Sequence, residues 1–245
     1  MFESNLGDLG VCPRINSIMK VGAIIAAAGF GRRMKADRPK QLLELNGTPI
    51  IIHTIRKFDA SPAVDYIIVT ALRESVEEVR ELVRSADFRK SVTVIEGGER
   101  RQDSVAAGLE HLQPATDVVA VHDGVRPFVS REDIENVVRQ AERTGAAILA
   151  VPIVETVKQV EKELVESTLT REHLVLAQTP QAFRTEVLKQ AFERARKDEY
   201  YGTDESSLVE RLEHPVAIVR GSERNIKITR PSDLTLARAF LEEEK

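Results

Sequence analysis

Cysteine is nearly absent. The chain has one, Cys12, which excludes an internal disulfide framework and a zinc cluster built on thiolates. The histidines, His53, His111, His122, His173 and His214, are scattered without metal-ligand spacing, so zinc is not expected. No apolar run approaches the roughly 18 residues that a membrane span needs. Positive charge is not in excess either. The formal net charge is −4, so the chain is not expected to bind nucleic acid, and any anion site must be built locally. Residues 1–18 carry Glu3, Asp8 and Arg14 and lack a continuous apolar core; they are not expected to form a secretory signal. They read as a loose extension ahead of Met19, and the expected compartment is the cytoplasm.

What is present fits a globular protein. Hydrophobic residues make up 42% of the 245 and charged ones 30%, and residues 19–245 are expected to form one domain. Short Val- and Ile-rich runs, Val21–Ala26, Tyr66–Thr70, Val92–Glu96, Val118–His122 and Ala147–Val151, alternate with amphipathic stretches. Nearly continuous runs of about five residues suit strands covered on both faces. Between them, Pro49 behind Thr48 predicts a helix with an N1 proline running through Phe58. Residues 75–83 are apolar at i, i+3 and i+7. Ser130, with Asp133 three residues on, opens a helix that ends near Gly145. The expectation is an α/β fold with a doubly wound, mostly parallel sheet. Residues 153–179 break the pattern: two short alternating segments flank Glu161-Lys162-Glu163, as in a hairpin that leaves the main sheet. Such a hairpin is marginal alone and must pack on something. Helices over 185–196 and 206–212, a strand over 216–220 and a final helix from Ser232 complete the reading.

Three loops carry candidate chemistry. The first strand runs into Ala27-Ala28-Gly29-Phe30-Gly31-Arg32-Arg33-Met34-Lys35, with Pro39-Lys40-Gln41 beyond. Small residues let the backbone approach a phosphate, and the basic side chains can neutralise it. Neither a Walker loop nor a GxGxxG fingerprint is present. A solvated basic loop is the alternative, but its place behind a buried first strand favours phosphate. The fourth strand ends in His122-Asp123-Gly124-Val125-Arg126-Pro127. There Asp123 would face the crevice and hold Mg²⁺ or a substrate hydroxyl, whereas a plain Asp-Gly turn would only end the strand. Arg126 favours the functional reading, and His122 is expected to be structural. The third loop, Gly97-Gly98-Glu99-Arg100-Arg101-Gln102-Asp103-Ser104, could admit a flat ligand beside the Ser104 hydroxyl, or be a Gly-rich loop with Asp103 as a helix cap.

Together these blocks resemble those of 2-C-methyl-D-erythritol 4-phosphate cytidylyltransferases. So do Thr168-Leu169-Thr170-Arg171, Gln178-Thr179-Pro180-Gln181, Thr203-Asp204-Glu205 and Asn225-Ile226-Lys227-Ile228-Thr229-Arg230-Pro231. They occur in family order from Val21 to the C-terminus. The resemblance implies transfer of cytidylyl from CTP to the polyol phosphate, a step of isoprenoid precursor synthesis by the non-mevalonate pathway. It implies that Arg33 and Lys40 stabilise the transition state, and that Ala27, Ala28, Gly29, Gly31, Gly98 and Ser104 hold CTP. Asp123, Arg126 and Thr156 would line the polyol pocket, with Arg171 and Lys227 on its phosphate. Mg²⁺ or another divalent cation would be held mainly by CTP phosphates, with Asp123 a candidate ligand. The family is a homodimer with a projecting arm, matching the hairpin at 153–179. Ala26 stands where proline is frequent, Gly124 where alanine is frequent, and Thr170 where aspartate is common. A ribitol- or other pentitol-phosphate cytidylyltransferase is the nearest rival, and a non-catalytic nucleotide-sensing subunit is the rival from another class.

Overall fold

The structure, a computed structural model, describes residues 19–31, 34 and 38–243. The extension expected over residues 1–18 lies outside them. The first strand, β1 (Val21–Ala27), is buried along nearly its whole length. A small hairpin follows, β2 (Glu44–Leu45) and β3 (Thr48–Pro49). Asn46 and Gly47 between them both have positive φ, 51° and 75°, as a two-residue turn of matching twist requires. Pro49 thus ends a strand and caps α1 (Ile50–Ala60), so the helix begins one residue later than expected and Pro49 is its cap, not its N1 residue. Then come β4 (Tyr66–Ala71), α2 (Val76–Ser85), β5 (Ser91–Glu96), α3 (Arg101–Glu110), β6 (Val118–Asp123), α4 (Arg131–Thr144) and β7 (Ala146–Pro152). The Ser130 hydroxyl accepts from the Asp133 amide to start α4, and Gly145 closes it at φ 89°.

β8 (Lys158–Glu161) and β9 (Leu164–Thr168) form the hairpin, turning at Lys162 and Glu163, both at positive φ. The chain returns through β10 (Val175–Arg184), α5 (Thr185–Lys197), α6 (Glu205–Glu210), β11 (Ala217–Arg220) and α7 (Pro231–Glu243). The seven-stranded sheet has the order β11-β7-β10-β6-β1-β4-β5. All its pairings are parallel except those of β10, which runs antiparallel to both β6 and β7.

β10 corrects the expected arm boundary. Residues 175–179 belong to this strand of the main sheet, so the projecting segment is 153–174. Pro180 breaks the strand signal and is tolerated because the β7 register shifts between Ala177 and Gln181, a bulge in which a missing amide costs no ladder bond.

Period-two alternation divides the core. Ala23, Ile25, Ile67, Val69, Val118 and Ala120 face one layer, with Ile51, Ile55, Phe58, Ile134 and Val138 from α1 and α4. Ile24, Ile68, Val119 and Val121 face the other, with Val105, Leu109, Leu188, Phe192 and Leu208 from α3, α5 and α6. Because the sheet is covered on both sides, only the ends of its strands remain for binding. A third cluster pins α7 beside that end, through Ile228, Ala237, Val125 and Phe128.

Candidate active site

The loops after β1, β5 and β6 meet at the carboxyl end of the sheet. Gly97 packs so closely that a Cβ there would lie 2.4 Å from Ala28 Cβ and 2.9 Å from Ser104 Oγ. Ser104 Oγ accepts from the Gly98 amide at 3.2 Å and donates to the Arg100 carbonyl at 3.0 Å, which staples this loop to α3. Asp103 accepts from the Arg100 amide; it closes a capping box as the third helical residue, not as the cap itself. Gly29 has open space where a side chain would stand, so its backbone is free for a ligand to approach.

Lys40 is set by Gly31. At φ +75° a Cβ on Gly31 would lie 2.7 Å from Lys40 Cγ and Cδ, so only glycine permits both the turn and the lysine stem across it. Lys40 Nζ donates to the Ile228 carbonyl at 3.3 Å. The next residue, Gln41, is 2% exposed and donates to the Ala27 carbonyl at 2.6 Å. These bonds tie the basic loop to the end of β1 and to the segment that carries Lys227. Arg33 lies outside the described residues.

Asp123 ends β6 and is the electrostatic centre. Oδ1 accepts from Arg101 Nε at 2.9 Å; Oδ2 meets Lys227 Nζ at 2.8 Å and Arg126 Nε at 3.4 Å. Burial alone would raise its pKa, but Arg101, Lys227 and Arg126 outweigh burial and hold the carboxyl well below the usual carboxylate range. In this arrangement both oxygens of Asp123 face cationic side chains. Among the described residues no group of three His, Cys, Asp or Glu is placed to hold a metal. Behind Arg101, both oxygens of Glu205 accept from Nη1 at 2.7 and 2.8 Å.

His122 is structural. Its Nε2 lies 3.1 Å from the Arg126 carbonyl and its Nδ1 3.0 Å from Thr179 Oγ1, which also accepts from the Asp123 amide. A carbonyl can only accept, so Nε2 carries the proton, and Nδ1 accepts from the threonine hydroxyl. Burial is the main reason that the imidazole pKa falls to about 3. Neutral His122 thereby fixes the turn that presents Asp123 and Arg126. Gly124 leaves little room for the alanine of the resemblance: a Cβ would stand 2.9 Å from Ala27 Cβ and Ile51 Cδ1.

A cavity of about 190 Å³ is lined by Arg101, Asp123, Arg126, Thr179, Asp204 and Lys227, among others. The structure thus gathers Asp123, Arg126 and Lys227, and separately joins Ala28 with Gly98 and Ser104. It does not bring Thr156 and Arg171 to them: both are exposed on the arm, where Arg171 donates to the Val154 carbonyl at 2.6 Å and lies 3.6 Å from Glu172. Those two contacts support Arg171 in place of the missing aspartate at 170. Sequence reasoning missed Arg101, Glu205 and Thr179 as site residues, though all three stand inside the blocks that carried the resemblance.

A family model described as 2-C-methyl-D-erythritol 4-phosphate cytidylyltransferase (IspD) matches residues 21–243. The chain belongs to this family. A relative of that name from Solibacter usitatus is 50% identical over 237 residues, covering 92% of this chain and 97% of its own. The crystal structure of the Thermus thermophilus cytidylyltransferase matches with a TM-score of 0.75 at 34% identity, covering 91% of this chain and all of that one. The 4-diphosphocytidyl-2C-methyl-D-erythritol synthase from Anaerococcus prevotii matches with a TM-score of 0.82 at 29% identity, over 91% and 96% of the two chains. These family structures share the same α/β architecture.

Proposed function

We infer that this chain transfers the cytidylyl group of CTP to 2-C-methyl-D-erythritol 4-phosphate, giving 4-diphosphocytidyl-2-C-methyl-D-erythritol and pyrophosphate. The observation that carries the reading is the cationic group Arg101, Arg126 and Lys227 around Asp123 at the end of β6, in a chain whose family match spans nearly all of it. The matched relatives carry the methylerythritol name, which favours that substrate over a pentitol phosphate. Retention of Lys40 and Asp123 speaks against a merely sensing subunit.

A phosphate oxygen of the polyol phosphate attacks the α-phosphorus of CTP. The new P–O bond forms as the bond from the α-phosphorus to the bridging oxygen breaks, and the electron pair leaves with pyrophosphate. The nucleophile is already anionic, so no general base is needed; the protein's task is to position two polyanions and balance the growing charge. Lys40, crossing the Gly31 turn, and Arg33 are proposed for that charge. Ala27, Ala28, Gly29, Gly31, Gly98 and Ser104 are proposed to hold CTP by close backbone approach. Asp123 and Arg126 would orient the polyol, and Lys227 would meet its phosphate.

Mg²⁺, or another divalent cation, is proposed to enter on the triphosphate and neutralise part of its charge, with Asp123 the candidate protein ligand. A homodimer is part of the proposal, with Thr156 and Arg171 of each arm completing the other chain's pocket. A cytoplasmic location, proposed alongside, rests on the scarcity of cysteine. The test is pyrophosphate release with CTP against methylerythritol phosphate, ribitol phosphate and other pentitol phosphates. The proposal expects kcat/KM for the first to exceed the others by at least roughly a hundredfold, the reach of a site that pairs substrate hydroxyls. Equal or greater turnover of a pentitol phosphate overturns it.

A further inference from the structure

Thr203, Asp204 and Glu205 are not among the residues proposed to touch CTP or the polyol phosphate. Asp204 accounts for itself as the cap of α6: its carboxylate accepts from the Ser207 amide at 3.1 Å and from Gln181 Nε2 at 2.7 Å. Glu205 does not. It is 1% exposed, it commits both oxygens to one nitrogen of Arg101, and burial raises its pKa against the pull of that arginine. A buried ion pair is a weak stabiliser, because desolvation offsets most of its attraction. What the pair does locally is restrain Arg101. With Nη1 anchored on Glu205, Nε is aimed at Oδ1 of Asp123. That contact sets the rotation of the carboxylate, so that Oδ2 is the oxygen turned to Arg126 and Lys227, which share it. Without the restraint, the Asp123 carboxylate could turn and give Lys227 and Arg126 one oxygen each, drawing both cations off an incoming phosphate.

We propose that Glu205 and Arg101 are positioning residues: Glu205 fixes the Arg101 guanidinium, which fixes the rotation of the Asp123 carboxylate and so presents Lys227 and Arg126 to the polyol phosphate. This rests on the reading of Asp123, Arg126 and Lys227 as the polyol-phosphate pocket. Glu205 acts on substrate only through Asp123, so its contribution vanishes when Asp123 no longer has a carboxylate to orient.

The test is a double-mutant cycle on pyrophosphate release with Glu205→Gln and Asp123→Asn. Glu205→Gln is expected to lower kcat/KM for the polyol phosphate roughly tenfold, the scale of one charged hydrogen bond. KM for CTP should stay within about twofold, since the CTP-holding residues do not touch Glu205. In the Asp123→Asn background the same change should cost nothing more. Losses that multiply in the double variant overturn the positioning role. So does a parallel rise in both KM values with a lowered Tm. If Asp123→Asn alone leaves KM for the polyol phosphate unchanged, the pocket reading fails and this proposal with it. Should Glu205→Gln not fold, the charge-balanced pair Arg101→Gln with Glu205→Gln is placed in the same cycle, with the same two outcomes decisive.

Discussion

Asp123, in the crevice, is 5% exposed, and its amide, carbonyl and both carboxylate oxygens all have partners within the chain. On the arm, Leu164 is 74% exposed, Val154 71% and Val165 62%, and β8 and β9 pair only with each other. The crevice residues are held by their own chain, because β1 and β6, which feed it, are buried along nearly their whole length. The arm turns apolar side chains to solvent, which a hairpin of marginal stability does not do without a covering surface. It also carries Arg171 and Thr156, the two residues that the resemblance assigns to substrate and that the crevice lacks. Under the proposed dimer, the site would be preorganised for CTP within one chain while its second substrate depends on the other.

Crevice and arm can be disabled separately. The largest effect should follow Lys40→Ala, which removes a fixed positive charge at the transition state: kcat falls roughly a hundredfold or more, with Tm unchanged in calorimetry. An unchanged kcat with a raised KM for CTP would reduce Lys40 to a binding residue. Next is Val165→Glu on the arm. If the proposed dimer covers this face, the variant should shift sedimentation from dimer to monomer and lower kcat/KM for the polyol phosphate by roughly tenfold or more, while leaving CTP affinity intact, since burying a charge there would cost a few kcal/mol. A variant that stays dimeric and active would show that the arm's apolar face is not the interface.

Gly31→Ala should act on stability and turnover together. Its positive φ costs about 1–2 kcal/mol with a side chain, and the added carbon displaces Lys40; thermal melts read the first effect and kcat the second. The smallest effect on activity belongs to protonation of His122. Its folded pKa of about 3 lies below the ordinary 6.5, so the unfolded chain binds the extra proton between those values. The stabilising contribution is therefore complete above pH 6.5 and is lost as pH falls towards about 3. Denaturant titrations across that window should show the decline, and the His122 imidazole signals in NMR should stay those of the neutral ring until the pH approaches about 3.

Much of this was legible in the sequence, and the physical reasons are specific. The parallel strands declared themselves because burial on both faces demands unbroken Val and Ile, as in Val118–Val121. Gly31 and Gly97 stood out because close approach removes every other residue type. β10 did not, because its middle, Gln178-Thr179-Pro180-Gln181, is polar and contains proline. Those side chains are buried only because Asn225, His122 and Asp204 satisfy them, partners far along the chain. The Arg101–Glu205 pair was invisible for the same reason: its members stand 104 residues apart, and no local periodicity links an arginine after a Gly-Gly turn to a glutamate opening a short helix. Local rules reveal elements, whereas the polar contacts between loops need the fold.

The proposed division of the site between two chains is put to its sharpest test by mixing two inactive variants, Lys40→Ala and Arg171→Ala, co-expressed so that hybrid dimers form. In a hybrid, one site carries both lesions, and the other takes Lys40 from one chain and Arg171 from its partner. Random pairing makes half of the dimers hybrid with one intact site each, so about a quarter of wild-type pyrophosphate release should return. No recovery, with hybrid dimers confirmed by native mass spectrometry, would contradict a shared site and place Arg171 in its own chain's pocket.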